Sequence, residues 1–249
     1  MREHVLIVTG GSRGIGAATA QLASARGYSV CVNYLNNREA ASEVVSSIER
    51  AGGRAIAVQA DVSIEADVVR LFETVDRELG PLRALVNNAG ILERQMPVVQ
   101  MDAGRIARVF ATNVIGAFMC AREAVKRMAT GRGGAGGAIV NIASRAAQLG
   151  APGEYVDYAA SKAALDALTI GLAREMGGEG VRVNSVRAGI IVTDIHLSGG
   201  DPERPARLAS TIPMKRPGDA IEVARAVLWL LSDEASYCTG AFIDVAGGR

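Results

Sequence analysis

The feature that most constrains this chain is a succession of short, unbroken apolar runs separated by stretches of helical period. Residues 5–8, 30–32, 56–58, 84–86, 139–142, 181–186 and 242–245 are mostly continuous rather than alternating, the pattern of strands covered on both faces. Between them lie amphipathic segments. Val68, Phe72, Val75 and Leu79 form one apolar stripe. Asp219 followed by Glu222 reads as a capping-box start for a helix carrying Val223, Val227 and Leu230. Strand and helix alternate nearly to the end, so the expected fold is α/β. It would be a doubly wound, Rossmann-type parallel sheet of about seven strands with helices on both faces.

No internal repeat or compositional break divides the 249 residues, so residues 1–249 are expected to form a single domain. The glycine-rich segment 131–137 reads as a surface connector. Segment 190–217, with His196, Gly199, Gly200 and several prolines, is expected to be a substrate lid with short helical pieces. Composition narrows the partners. Lysine plus arginine is 27 against 26 acidic residues, a net charge of +1, so no global field holds a nucleic acid or an anionic membrane. No apolar run approaches the roughly 20 residues that cross a bilayer, and residues 4–9 are too short for the core of a signal peptide. The three cysteines, Cys31, Cys120 and Cys238, are far apart, which suits free thiols better than a disulfide frame or zinc cluster. A cytoplasmic protein with no metal, nucleic-acid or membrane partner is expected. Cys120 and Trp229 are expected in the core.

Glycine is over-used, with 29 residues against 7 prolines, and its densest placement is informative. Directly after the first strand comes Thr9-Gly10-Gly11-Ser12-Arg13-Gly14-Ile15-Gly16, then a helical pattern to about Gly27. Glycines here permit a sharp turn and let backbone N–H groups approach a pyrophosphate at a helix N-terminus. Between strand and helix, the cluster reads as a dinucleotide site. An NAD site typically places an acidic residue roughly 20 positions on, to hold the ribose 2′-hydroxyl. Here the second strand ends Val32-Asn33-Tyr34, and no acidic residue occurs between Gly10 and Glu39. Arg13 and Arg38 are instead available to grip a 2′-phosphate. NADP(H) is therefore expected over NAD(H).

The chemical signal is Tyr158-Ala159-Ala160-Ser161-Lys162. Four residues apart on a helix, the phenol and amine share a face, with Cβ atoms about 6 Å apart. A phenol of pKa about 10 releases its proton poorly at neutral pH. A fixed ammonium beside it is expected to lower that value, giving a group that donates a proton to a carbonyl oxygen or takes one from an alcohol. Tyr155 is a decoy, about 10 Å from Lys162 along a helix axis.

Taken together, Thr9 to Gly16, Asn87-Asn88-Ala89-Gly90, Asn113, Ser144 and the Tyr158/Lys162 pair resemble the short-chain dehydrogenase/reductase family, in its compact single-domain branch. The resemblance runs from about Val5 to Gly247-Gly248. It implies that Tyr158 is the acid/base, and that Lys162 tunes it and holds the nicotinamide ribose. Ser144 would hydrogen-bond the substrate oxygen, and Asn113, within a long helix, would support a water-linked relay to Lys162. Gly10, Ser12, Arg13, Gly14, Ile15, Gly16, Asn33 and Arg38 would hold the phosphate and ribose end. Asp61 and Val62 would meet the adenine, and Asn88, Ala89 and Gly90 its ribose side. Gly189, Ile191 and Thr193 would hold the nicotinamide. The family also implies a homotetramer built by the helices around Asn113 to Met128 and Tyr158 to Ala173.

Two departures qualify the resemblance. The family usually has Pro-Gly after the sixth strand, where this chain has Ala188-Gly189, which should alter flap mobility. Tyr158 also follows Ser144 by one residue more than is common in members reducing acyl-carrier-protein thioesters. That spacing and the Gly150 to Tyr158 segment look more like sugar or polyol dehydrogenase-like members. The expected activity is interconversion of a carbonyl and a secondary alcohol on a small molecule. A 3-oxoacyl-carrier-protein reductase is the alternative, and a catalytically silent NADP-binding sensor or scaffold the reading from another class. Arg145 is expected in a structural ion pair, and His196 in neither catalysis nor metal binding.

Overall fold

In the computed structural model, which describes residues 4–249, the seven apolar runs become the strands of one sheet. Along the chain these are β1 (His4–Val8), β2 (Tyr28–Tyr34), β3 (Ala55–Gln59), β4 (Leu82–Asn87), β5 (Gly137–Ser144) and β6 (Val181–Ala188). After a separate two-stranded pair, β7 (Ile191–Val192) and β8 (Gly218–Asp219), the last is β9 (Phe242–Val245). The order is β3-β2-β1-β4-β5-β6-β9, with every neighbouring pair parallel.

The helices are α1 (Gly14–Ala25), α2 (Arg38–Arg50), α3 (Glu65–Glu78), α4 (Ala103–Phe110), α5 (Gly116–Met128), α6 (Ala146–Leu149) and α7 (Val156–Met176), followed by α8 (Ile195–Ser198), α9 (Arg204–Leu208) and α10 (Ala220–Leu231). Because both sheet faces are apolar, each takes a helical layer. Leu6, Val8, Val30, Val32, Val86 and Val140 pack against α1, α2 and α10. Ile7, Cys31, Leu85, Ile139 and Val183 point the other way, onto α3, α5 and α7. The predicted α3 stripe is buried throughout, and Asp219 and Glu222 close a full capping box on α10.

Several details bear on the expectations. The long helix holding Asn113 is continuous from α4 to α5 but interrupted by a π turn at Ala111–Ile115. Cys120 is buried, whereas Trp229 is 37% exposed. This corrects its assignment to the core: α10 turns Val227, Leu228, Leu230 and Leu231 inward, and position 229 falls on the opposite face. Segment 190–217 contains α8, α9 and a 3-10 turn. Ala188 pairs in register with both Ser144 and Val245, so the position without the usual proline is held by the sheet on both sides. Among the described residues, no helix is long and apolar enough to cross a membrane.

Candidate active site

The strand order reverses between β1 and β4, and a ligand crevice is expected outside the carboxyl ends of the strands at that point. A cavity of about 770 Å³ opens there. Its floor at one end is the glycine turn. Gly10 and Gly14 have φ of 59° and 52°, a left-handed backbone that favours glycine. Asn88 Nδ2 donates to the Thr9 and Gly10 carbonyls, both at 2.9 Å. The Thr9 hydroxyl accepts from the Asn88 and Ala89 N–H groups, both at 3.0 Å. The turn therefore delivers the N-terminus of α1 to the cavity with no side-chain cap and no acidic residue in its first turn. Such an end, with free N–H groups and the positive pole of the helix dipole, suits a pyrophosphate.

Of the residues expected to hold a nucleotide, Gly10, Ser12, Arg13, Gly14, Ile15 and Asn33 line this end, Asp61 and Val62 the far wall, and Asn88, Ala89 and Gly90 the β4 side. Gly189, Ile191 and Thr193 line the same cavity. Thr193 also crosses to the turn, where a Cβ on Gly14 would come within 3.0 Å of its methyl carbon. Two expected residues lie off the cavity wall. Gly16 acts behind it, packed against the Gly10 carbonyl. Arg38 starts α2 and is exposed; Asn36 and Asn37 take the wall position after β2. Asn33 is also diverted: its Oδ1 accepts from Gly10 N–H at 3.2 Å and its Nδ2 donates to the Ala60 carbonyl at 3.0 Å. It braces the turn rather than offering a free amide.

In the same cavity, Ser144 closes β5, and Tyr158 and Lys162 stand one turn apart near the start of α7. The Ser144 hydroxyl accepts from the Ala146 N–H at 3.1 Å and stands near enough to the Tyr158 phenol to favour its phenolate. Lys162 is 3% exposed; its Nζ donates to the Ile142 carbonyl at 2.7 Å and lies 5.6 Å from the centre of the Tyr158 ring. Burial lifts the phenol to about 12, against the pull of the Ser144 hydroxyl. Burial also pulls the Lys162 amine down to about 8, although Asp166 one turn on opposes the shift. The expected lowering of the phenol by the lysine is thus overridden. Desolvation acts on both groups, and the amine is directed to a backbone carbonyl.

Asn113 is fully buried and does not line the cavity. Its Oδ1 accepts from Ile91 N–H at 2.8 Å, and its Nδ2 donates to the Ile91 carbonyl at 3.1 Å and to Ser161 Oγ at 3.0 Å. Gly90 keeps the space between Asn113 and Lys162 open, since a Cβ there would stand 3.4 Å from both Asn113 Oδ1 and Lys162 Nζ. The two residues therefore face one gap, with the side-chain amide of Asn113 already engaged.

A family profile described as "Enoyl-(Acyl carrier protein) reductase" matches residues 10–249. The chain belongs to the short-chain dehydrogenase/reductase family. It is similar to the Escherichia coli K12 protein named "Uncharacterized oxidoreductase YgfF", 58% identical over 98% of this chain and 99% of that one. A Staphylococcus aureus "3-oxoacyl-[acyl-carrier-protein] reductase FabG" is 37% identical over 97% of this chain and 96% of its own. Among solved structures, a dehydrogenase/reductase from Sinorhizobium meliloti 1021 superposes with a TM-score of 0.91 at 35% identity, covering 100% of this chain and 95% of that one. This short-chain dehydrogenase/reductase is an oxidoreductase of a family that uses nicotinamide cofactors.

The remaining wall of the cavity includes polar groups that sequence reading does not pair. Arg204, on α9, grips Glu154 with two bonds of 2.9 and 2.6 Å, and the guanidinium holds the Glu154 carboxyl below the usual carboxylate range. Tyr155, the decoy, is buried beneath Arg204 and donates its hydroxyl to the Gly199 carbonyl at 3.4 Å. Arg145 forms the expected ion pair, with Asp244 at 2.7 Å. His196 Nε2 donates to the Ile191 carbonyl at 2.9 Å, and burial lowers its pKa below the ordinary imidazole value.

Proposed function

We propose that this short-chain dehydrogenase/reductase interconverts a carbonyl and a secondary alcohol on a small polar molecule, with NADP(H) as its cofactor. The observation that carries the reading is that one cavity is lined both by Ser144, Tyr158 and Lys162 and by the uncapped N-terminus of α1. Gly10, Ser12, Gly14 and Ile15 fit the pyrophosphate, and Gly189, Ile191 and Thr193 the nicotinamide amide. The bound nicotinamide supplies or accepts the hydride. Ser144 and Tyr158 hydrogen-bond the substrate oxygen, stabilising charge as it develops, and Tyr158 moves the proton. Lys162 holds the ribose and, with Asn113 across the Gly90 gap, connects the phenol to a water-borne proton path. Segment 190–217 acts as the substrate lid of a single catalytic domain. An intact phenol and amine of this kind are superfluous in a cofactor sensor, and a tight NADPH complex inert to every carbonyl would favour that class instead.

NADP(H) over NAD(H) rests on the absence of a carboxylate after β2 and on Arg13, which reaches the cavity with 57% of its side chain exposed and only a 3.7 Å contact to Asp194. Arg38, exposed at the start of α2 next to Asn36 and Asn37 of the cavity wall, is the second arginine proposed for the 2′-phosphate. Arg13→Ala is expected to raise KM for NADPH about tenfold, consistent with loss of a charge-assisted bond, while KM for NADH changes less than twofold. Equal effects on both cofactors would overturn the assignment.

The pH dependence follows from the Tyr158 phenol being raised to about 12. Carbonyl reduction uses the protonated phenol, so its kcat/KM should hold level from pH 6 to 8. Alcohol oxidation uses the phenolate, so its kcat/KM should climb between pH 7 and 9. An oxidation profile flat across that interval would remove Tyr158 as the titrating base.

The substrate reading favours a sugar or polyol, supported by the Ser144–Tyr158 spacing and by the Glu154/Arg204 pair in the wall. A second reading, a 3-oxoacyl-carrier-protein reductase, is favoured by the Staphylococcus aureus relative. A panel of acetoacetyl thioesters, sugars and polyols, assayed by nicotinamide absorbance with both cofactors, separates the two. The exposed apolar side chains Ile115, Phe118 and Ile170 on the α5 and α7 side support a homotetramer, which sedimentation at micromolar concentration reads directly. The unpaired thiols support a cytoplasmic setting, which cell fractionation tests.

A further inference from the structure

Tyr158 lies in the first turn of α7, which starts at Val156 and has no side-chain cap at Tyr155. That turn is fastened from a different helix. Arg105 on α4 donates Nε to Asp157 Oδ2 at 2.7 Å and Nη2 to Asp157 Oδ1 at 3.3 Å. Both side chains are 3% exposed. Asp157 Oδ1 also accepts from the Tyr158 N–H at 2.9 Å. The third arm of the guanidinium, Nη1, donates to the Arg94 carbonyl at 2.5 Å. The loop carrying Arg94 continues to Gln95, which donates to Asp201 within segment 190–217, and to Met96, whose N–H donates to the Glu154 carbonyl.

A buried ion pair is a poor source of stability, because the cost of taking two charges out of water rivals their attraction. What a guanidinium fork does supply is orientation: two parallel bonds fix the carboxylate plane, and the rigid donor set allows a third fixed contact. Here those bonds end on the residue next to Tyr158 and on the loop that flanks the substrate end of the cavity.

We propose that Arg105 is a positioning residue for the reaction, holding Asp157 so that the first turn of α7 aims the Tyr158 phenol at Ser144. Arg105 does not line the cavity and acts only through Asp157 and Arg94. The inference rests on the reading of Tyr158 as the acid/base, and its test includes a measurement independent of turnover.

The test compares wild type with Arg105→Met, Arg105→Lys and Asp157→Asn. The measurements are 9,10-phenanthrenequinone reduction, NADPH binding by nucleotide fluorescence, and hydrogen exchange by mass spectrometry. Arg105→Met is expected to lower kcat by about tenfold to a hundredfold, the scale of an ångström-level misplacement, with NADPH affinity within twofold. Its exchange should quicken in peptides covering residues 91–97 and 155–162 and stay unchanged over β1 and α1. Arg105→Lys, which keeps the charge but not the fork, should recover part of kcat. If Arg105→Met fails to fold, Arg105→Lys and Asp157→Asn carry the same comparison.

The proposal is overturned by kcat within twofold of wild type. It is equally overturned by losses of kcat and NADPH affinity in step, with exchange rising across the whole chain, the signature of a purely structural pair. Local loosening around Tyr158 in a protein whose wild type reduces no carbonyl would uphold the clamp and reject the functional reading.

Discussion

Tyr158→Phe is expected to reduce kcat for carbonyl reduction by about a thousandfold, within the range that a positioned acid or base supplies. The substitution removes one oxygen and leaves the aromatic ring in place beside Lys162. It removes the phenol oxygen that stands near the Ser144 hydroxyl and, on the proposed reading, the proton donor to the substrate oxygen. Because the glycine turn and the uncapped α1 N-terminus are untouched by the change, NADPH affinity should stay within about threefold. Paired measurement of kcat and of NADPH binding by fluorescence checks both statements. A variant retaining more than a tenth of wild-type kcat would require another proton donor, and Tyr155 would not serve, since its hydroxyl is committed to the Gly199 carbonyl beneath Arg204.

Gly16→Ala should be nearly as damaging, by a different route. A Cβ at that position would stand 2.4 Å from the Gly10 carbonyl oxygen, 2.6 Å from Asn88 Nδ2 and 2.9 Å from Gly11 Cα. Backbone on two sides leaves nowhere for a methyl group, so the turn itself must open and the two Asn88 bonds to Thr9 and Gly10 must lengthen. The Kd for NADPH should then rise by at least about a hundredfold, equivalent to about 2.7 kcal/mol. A stability loss of about 1–3 kcal/mol should accompany it, as for other overpacked sites. Gly177→Ala is the matched control: its φ of −57° and ψ of −41° are helical, and a Cβ there meets nothing within 4 Å. Fluorescence titration and thermal melting of the two variants make the comparison; equal NADPH affinity in both would show that the turn tolerates widening.

What the sequence disclosed depends on the range of the interactions involved. Strands buried on both faces announce themselves as continuous apolar runs, so all seven strands of the main sheet are legible, although several extend up to two residues beyond their runs and the short β7–β8 pair leaves no such mark. The glycine turn and the Tyr158/Lys162 pair were readable for a similar reason: each is a local spacing with a steric or helical meaning. Arg38 is harder to place from sequence: it is the first residue of α2, after Asn37, whose side chain accepts from the Ala40 N–H at 2.9 Å, and its position relative to the cavity depends on how that helix packs. Trp229 was assigned to the core on hydrophobicity alone, although the phase of α10 puts it on the surface. The weak influence of Lys162 on Tyr158 was hidden too, since desolvation depends on everything packed around a group. The Arg105–Asp157 and Arg204–Glu154 pairs join residues about fifty positions apart, and no local pattern marks them.

The π turn at Ala111–Ile115 makes one helix act as two differently indexed rods. Each residue of an ordinary helix advances the side-chain direction by about 100°, and a wider turn inserts an offset between the segments before and after it. Upstream, that phasing turns Arg105 toward Asp157; downstream, it turns Cys120, Ala124 and Met128 toward the sheet. Chain length in this stretch is therefore under a tighter geometric constraint than side-chain identity, because losing one residue would rotate one rod against the other and sacrifice either the clamp or the packing.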